Sequence, residues 1–236
     1  MINLAIALLA GAATLLALAG LLKVGLWASL LPALAVFAAV YYWRSRVTLA
    51  KVKVLMDGMQ SDLQAGRIDK AIATLRSAFA LSSQQFLLAG QLHAALGVLL
   101  YSKKDFDESL PHLQRAFFRD WQAQATLGAL LFKRDDYDGM EKAFEKAVSA
   151  GKKEGLAWSS YAWCLDKAGR RAKAQQVLTR AIEANPADER LKSNLVALQN
   201  DKRMKMRAYE PTWFQFHLER LPPEMTGGRR VQWQRR

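Results

Sequence analysis

Residues 155–186 contain the pattern that most restricts the fold. Two stretches whose apolar residues have helical spacing lie on either side of one turn. The side chains that share a face are Trp158, Tyr161, Ala162 and Leu165 in the first half, and Ala174, Leu178 and Ala181 in the second. Gly169 lies between the two halves as a turn residue, and Pro186 ends the second helix. Large residues alternate with alanines, which indicates two helices that pack closely against each other.

Three earlier stretches have the same organisation. Ala71, Leu75 and Ala78 follow Gly66 at the offsets at which Ala174, Leu178 and Ala181 follow Gly169. A Leu-Gly pair occurs at Leu96 and again at Leu127, and the equivalent positions are Gly58 and Tyr161. We therefore divide the chain into four repeats at about 52–81, 90–120, 121–151 and 155–186. An amphipathic helix at 188–200 follows and is typical of the solvating cap of a repeat array.

This pattern resembles the tetratricopeptide repeat, in which a Trp, a Leu-Gly pair and a Tyr are followed by Ala, Phe, Ala and a closing Pro. Trp158, Ala174, Ala181 and Pro186 match it directly, whereas the first helix of the first repeat departs from it. The resemblance covers roughly residues 50–200 and implies an all-α solenoid of about four helix pairs plus the capping helix. It identifies the chain as similar to membrane-anchored, bacterial-type members of the family.

In that family the first helix of each repeat lines a concave groove that receives a peptide or a partner helix. Transferred position by position, the resemblance predicts a groove with apolar, amide and lysine side chains. Its candidate residues are Gln60, Gln91, Tyr101, Gln122, Phe132, Lys133, Trp163 and Lys167. Tyr101, Phe132 and Trp163 are the strongest candidates for direct contact, because large rigid rings contribute disproportionately to binding; packing between repeats is the competing interpretation.

The N-terminal region predicts a membrane anchor over residues 1–47. Between residues 2 and 43 the only charged side chain is Lys23, and two apolar runs, at about 4–22 and 24–43, are each long enough to cross a bilayer. Arg44, Arg46, Lys51 and Lys53 follow, so the positive-inside rule predicts a multi-pass protein of the cell inner membrane with its repeats in the cytoplasm. A cleaved signal peptide and a single crossing are the alternatives.

Composition and motif spacing indicate no catalytic chemistry. The net charge of +13 permits nucleic acid, anionic lipid or an acidic protein as a partner. The three histidines are far apart in sequence and have no metal-ligand spacing, and Cys164, the single cysteine, lies within an apolar helical pattern. We predict neither enzyme activity, nor a cofactor, a metal or a small-molecule substrate. The acidic residues at 135, 136 and 138 fit a helix N-terminus better than a cation site.

Residues 201–236 form a basic, aromatic tail. Trp213, Phe214 and Phe216 could pack on the repeats, which we favour, or rest on anionic lipid. Arg229 and Arg230 could contact lipid or nucleic acid, but nucleic acid is the least favoured partner for a chain without a nucleic-acid-binding fold. The sequence thus predicts a membrane-tethered scaffold that recruits partner proteins. The alternative is a structural subunit of a larger membrane complex, with groove and tail permanently occupied.

Overall fold

The computed structural model describes residues 1–220, and within that range every regular element is helical. The chain divides into an N-terminal unit, Met1–Phe117, and a C-terminal unit that begins at Phe118. The apolar N-terminal helices belong to the same unit as the first two repeats.

The N-terminal unit begins with an antiparallel pair of apolar helices. Helix α1 is Ile2–Leu16 and continues as a π-helical turn, Ala17–Leu21; helix α2 is Leu26–Gln64. Gly11 lies at their contact, where a Cβ would approach the Phe37 Cβ to 3.1 Å and the Ala33 carbonyl oxygen to 3.2 Å. A small residue at this position lets the two backbones approach closely.

Helix α2 is 39 residues long and passes without a break from the second apolar run into the first repeat. Two segments, Ile2–Leu21 and Leu26–Gln64, are long and apolar enough to cross a membrane, by length and composition; an N-terminal signal sequence meets the same criterion. Their surface is largely exposed in the isolated chain, as Leu9 at 71% and Trp27 at 82% illustrate.

The first two repeats complete the N-terminal unit. Helix α3 is Ile68–Ala78, followed by the short 3₁₀ helix Phe79–Leu81; α4 is Leu88–Ser102 and α5 is Phe106–Gln114. Their shared core consists of Ile72, Leu75 and Ala78 from α3 with Leu88, Leu92, Leu96 and Leu100 from α4. Gly66, at φ +71°, forms the turn between α2 and α3, as the sequence predicts.

The C-terminal unit contains the two repeats that best fit the pattern. Its helices are α6 Trp121–Lys133, α7 Tyr137–Ala150, α8 Gly155–Lys167, α9 Arg171–Ala184 and α10 Glu189–Gln199. Phe144 of α7 and Tyr161 of α8 stack at 5.3 Å between ring centroids and are both fully buried. Asp120, Asp136 and Asp188 cap the helices that follow them; Asp136, for example, accepts a hydrogen bond from the Gly139 backbone N–H at 2.9 Å.

Buried side chains continue beyond the predicted domain boundary at residue 200. Two 3₁₀ helices, Met206–Tyr209 and Thr212–Phe216, follow α10. Trp213 is completely buried, and Tyr209, Phe214 and Phe216 are each less than a tenth exposed. The packed core of the C-terminal unit therefore includes part of the tail.

Candidate functional site

The predicted groove residues of the C-terminal unit lie on neighbouring first helices. Phe132, near the end of α6, and Trp163 of α8 meet edge to face, with 5.9 Å between ring centroids. Lys167 lies one turn beyond Trp163, and its Nζ is 5.5 Å from the centre of that ring. The three residues that were predicted separately from repeat position therefore form one aromatic and cationic cluster.

The tail covers this cluster. Trp213 packs edge to face on Trp163 at 5.3 Å, and Phe216 packs on Trp213 at 6.3 Å. The indole N–H of Trp213 donates to the Glu219 carboxylate at 2.9 Å, so the buried ring has a polar partner. As a result only 7% of Trp163 is exposed. Trp163, one of the three rings predicted to contact a partner, is thus covered by the chain itself.

A second set of contacts holds the tail one turn earlier on α8. The Ser159 hydroxyl, one turn before Trp163, donates to the Tyr209 hydroxyl oxygen at 2.9 Å. Asn194 of α10 accepts from the Lys205 backbone N–H at 2.8 Å. Burial raises the pKa of Tyr209, which therefore remains a neutral hydroxyl throughout the physiological range. These hydrogen bonds fix the path of the tail along α8 and α10.

The remaining groove positions are more open. Lys133 and Lys167 are exposed, and Phe132 and Gln122 are partly exposed. In the C-terminal unit the accessible part of the predicted groove is therefore its edge, formed by Phe132 and the two lysines. The centre of the groove, at Trp163, is occupied by Trp213.

The groove residues of the N-terminal unit have different environments. Gln60 of α2 and Gln91 of α4 are exposed. Tyr101 is only 1% exposed, and its ring packs on Phe106 of α5 at 5.0 Å between centroids. The structure thus places Tyr101 in the packing between two helices of one repeat and not on an open surface.

A buried polar cluster at the open end of the apolar hairpin was not foreseen from sequence. Asn3 of α1 is 1% exposed and donates to the Thr48 hydroxyl of α2 at 2.9 Å, while its side-chain oxygen accepts from the Arg44 Nε–H at 3.2 Å. Gln85, in the loop before α4, accepts from the Ser45 hydroxyl at 3.1 Å. This hairpin-end cluster ties α1, α2 and the repeats together. The sequence feature that could have indicated this cluster is Asn3, a single amide side chain at the start of an apolar run.

The structure also brings together two histidines that are distant in sequence. The Nδ1 atoms of His93 on α4 and His112 on α5 are 2.9 Å apart, and Phe79 packs edge-on against both rings. Burial lowers the pKa of each imidazole, so the pair remains neutral to a lower pH than a free histidine does. Within residues 1–220 no group of three or more His, Cys, Asp or Glu side chains could hold a metal ion.

Two further predictions concern the thiol and the tail. Cys164 is fully buried in α8, and burial raises the pKa of its thiol well above the usual value, so it lacks the character of a nucleophile. Phe214 and Phe216 are buried with Trp213. The predicted contacts of Arg229 and Arg230 lie outside the described residues.

Comparisons with known proteins agree with this architecture. Residues 131–198 match a tetratricopeptide repeat family model. A crystal structure of MamA matches with a TM-score of 0.50 at 20% identity, covering 62% of this chain and 86% of that one. A MamA fragment from Desulfovibrio magneticus RS-1 matches with a TM-score of 0.50 at 15% identity, covering 71% and 95%. No curated protein matches the sequence.

The fold therefore defines a class of protein, the helical-repeat proteins, and most of the candidate binding residues lie on the first helices of the repeats. The family model places tetratricopeptide repeats at residues 131–198, and the solved structures share the helical-repeat fold. The matching family model is not a catalytic one.

Proposed function

We propose that the protein is a scaffold tethered to the cell inner membrane, which recruits partner proteins to the cytoplasmic surface. The observation that carries the proposal is the hairpin-end cluster. It joins the start of α1, the residues of α2 just after the apolar run and the loop before α4. Polar groups of this kind are costly inside hydrocarbon, so the cluster fits a membrane–water interface, with both ends of the hairpin on the side of the repeats.

The charge distribution supports the same orientation. Arg44 and Arg46 begin the basic stretch at this end, whereas Lys23 is the only charge near the opposite turn. From Leu26 to Trp43 a helix rises about 27 Å, close to the ~30 Å of a hydrocarbon core. The hairpin therefore has the length and the charge asymmetry of a two-helix anchor.

Thiol accessibility in intact cells tests this arrangement. In a Cys164→Ala background, Lys23→Cys should react with a membrane-impermeant maleimide from outside, because it lies at the far turn. Gln60→Cys should react only after the membrane is permeabilised, because it lies on the exposed cytoplasmic part of α2. Labelling of Gln60→Cys in intact cells would overturn the orientation. Loss of the first 40 or so residues from the mature chain would establish a signal peptide instead.

For recruitment, we propose that the edge of the groove in the C-terminal unit binds the partner. Phe132 offers a partly exposed aromatic surface, and Lys133 of α6 and Lys167 of α8 are exposed cations. This combination suits a peptide or helix with apolar and acidic side chains. In the N-terminal unit, the exposed amides Gln60 and Gln91 form a separate candidate contact.

Site-specific photocrosslinking in living cells tests recruitment. A photoreactive residue in place of Lys167 should give a discrete crosslinked species that is lost when Phe132→Ala is added. The matched control is Lys146, which is exposed on α7, the second helix of its pair. Equal crosslinking from both lysines, or no effect of Phe132→Ala, would contradict binding at the groove edge.

A second candidate is a structural subunit whose groove is permanently filled, and the burial of Trp213 against Trp163 favours it. The two functions differ in reversibility. A scaffold should be purified free of the species crosslinked at Lys167, whereas a structural subunit should retain it in a fixed stoichiometry.

A further inference from the structure

The loop between the 3₁₀ helix Phe79–Leu81 and α4 is fastened to the apolar hairpin at several points. The backbone N–H of Ile2 donates to the Ser83 carbonyl at 2.9 Å, and that of Asn3 donates to the Gln84 carbonyl at 3.2 Å. These bonds join the first turn of α1, where the N–H groups have no partner within the helix, to the loop of a repeat. The loop therefore lies at the level at which α1 begins.

The side chains of the loop fix the same level on α2. The Gln85 amide donates to the Tyr41 hydroxyl at 3.4 Å and accepts from the Ser45 hydroxyl at 3.1 Å. The Gln84 side-chain oxygen accepts from the Thr48 hydroxyl at 3.2 Å. All three partners lie on α2 where the apolar run gives way to the basic one. If the hairpin spans the bilayer, this stretch lies at the interface, and so does the loop.

Two large apolar side chains of the loop remain uncovered. Phe86 is 55% exposed and Leu87 is 40% exposed, directly after the residues that anchor the loop. Leu87 has φ +64°, a left-handed conformation that disfavours a side chain with a Cβ. Tyr42 and Trp43, at 63% and 65%, are exposed at the same level of α2. Aromatic side chains at this depth are typical of the interfacial belt of membrane proteins.

We propose that Phe86 and Leu87 form a third membrane contact, which inserts into the interfacial layer of the leaflet that faces the repeats. The proposal rests on the membrane insertion of the hairpin and extends it. The occupant is lipid, because the loop is continuous with the hairpin surface and is hydrogen-bonded to its two ends. The two ends of the hairpin and the loop then make three separate contacts with one membrane surface. The N-terminal unit is thereby held against the bilayer in one orientation and does not swing on α2.

Depth-dependent quenching of a fluorescent probe tests the proposal on the full chain. Single cysteines at Phe86, Leu34 and Gln60, each in the Cys164→Ala background, carry an environment-sensitive dye. The protein is reconstituted into phosphatidylcholine–phosphatidylglycerol vesicles that contain a nitroxide either near the headgroup or near the end of the acyl chain. An interfacial side chain lies about 5–10 Å into the headgroup and acyl boundary, so the Phe86 probe should be quenched about twofold more by the shallow nitroxide than by the deep one.

The other two probes separate failure of this inference from failure of the proposed function. Leu34, exposed near the middle of the second apolar run, should be quenched more strongly by the deep nitroxide, and Gln60 by neither. A quenched Leu34 probe with an unquenched Phe86 probe would overturn the loop contact and leave the tether intact. An unquenched Leu34 probe would overturn both. A Phe86 probe that is blue-shifted but unquenched would mean that protein covers the loop, which also overturns the proposal.

Discussion

Trp213→Ala is expected to destabilise the C-terminal unit by about 3–5 kcal/mol, the usual cost of removing a fully buried large aromatic side chain. Trp213 is 0% exposed and contacts both Trp163 and Phe216, so truncation leaves a cavity between the tail and α8. The measurement is the rate at which a thiol reagent labels Cys164. This residue is the only cysteine and is fully buried in α8, so its labelling rate under native conditions reports the opening of this unit. The expected increase is roughly a hundred- to a few thousand-fold.

The matched control is Val196→Ala on α10. Val196 is apolar but 54% exposed, so its truncation should change the free energy of opening by no more than about 0.5 kcal/mol. Equal labelling rates in Trp213→Ala and Val196→Ala would show that the tail is dispensable for the unit. In that case the tail would be a removable cover over Trp163. A rise in labelling specific to Trp213→Ala would make it part of the domain core.

The contacts of the tail could not be predicted from the sequence. Residues 204–216 include proline and aromatic residues without a helical or strand period, so no local rule decides what they contact. Docking of Trp213, Phe214 and Phe216 on the repeats was favoured over contact with anionic lipid. The particular contact between Trp213 and Trp163 depends on a long-range match of shape. Repeat position placed Trp163 on the groove side, and it does lie beside Phe132 there, but periodicity carries no information about what covers a groove.

The polar contacts were hidden for a similar reason. His93 and His112 are 19 residues apart, and only the register of α4 against α5 brings their rings together. Asn3 and Gln85 are 82 residues apart in sequence. Gln85 can bond to α2 only because the fold brings its loop back to the open end of the hairpin. By contrast, the close approach of the two helices in the second and third repeats follows directly from the Leu-Gly pairs at Gly97 and Gly128. A glycine at these positions indicates that the two helix backbones approach closely.

Gly128→Ala is expected to destabilise the third repeat by about 1–3 kcal/mol, because the added methyl group overfills a packed site. A Cβ on Gly128 would lie 2.6 Å from both Cδ2 and Cε2 of Phe144. Phe144 is completely buried and stacked on Tyr161, so its ring has no free volume into which it could move. The labelling rate of Cys164 should rise roughly five- to a hundredfold relative to the unsubstituted protein.

Two other glycines turn this into a graded test of the repeat pattern. Gly97 occupies the equivalent position in the second repeat, where the added Cβ would lie 2.8 Å from Leu113 Cδ2 and 3.0 Å from the Leu113 backbone nitrogen. Gly97→Ala should therefore also destabilise the protein, measured in a thermal melt followed by circular dichroism. Gly58 is exposed in α2, and nothing lies within 4 Å of an added Cβ there. Gly58→Ala should therefore stabilise the protein by about 0.5–1 kcal/mol, because alanine restricts the unfolded chain. If all three substitutions had the same sign, helix propensity and not close packing would govern these positions, and the Leu-Gly pairs would lose their structural meaning.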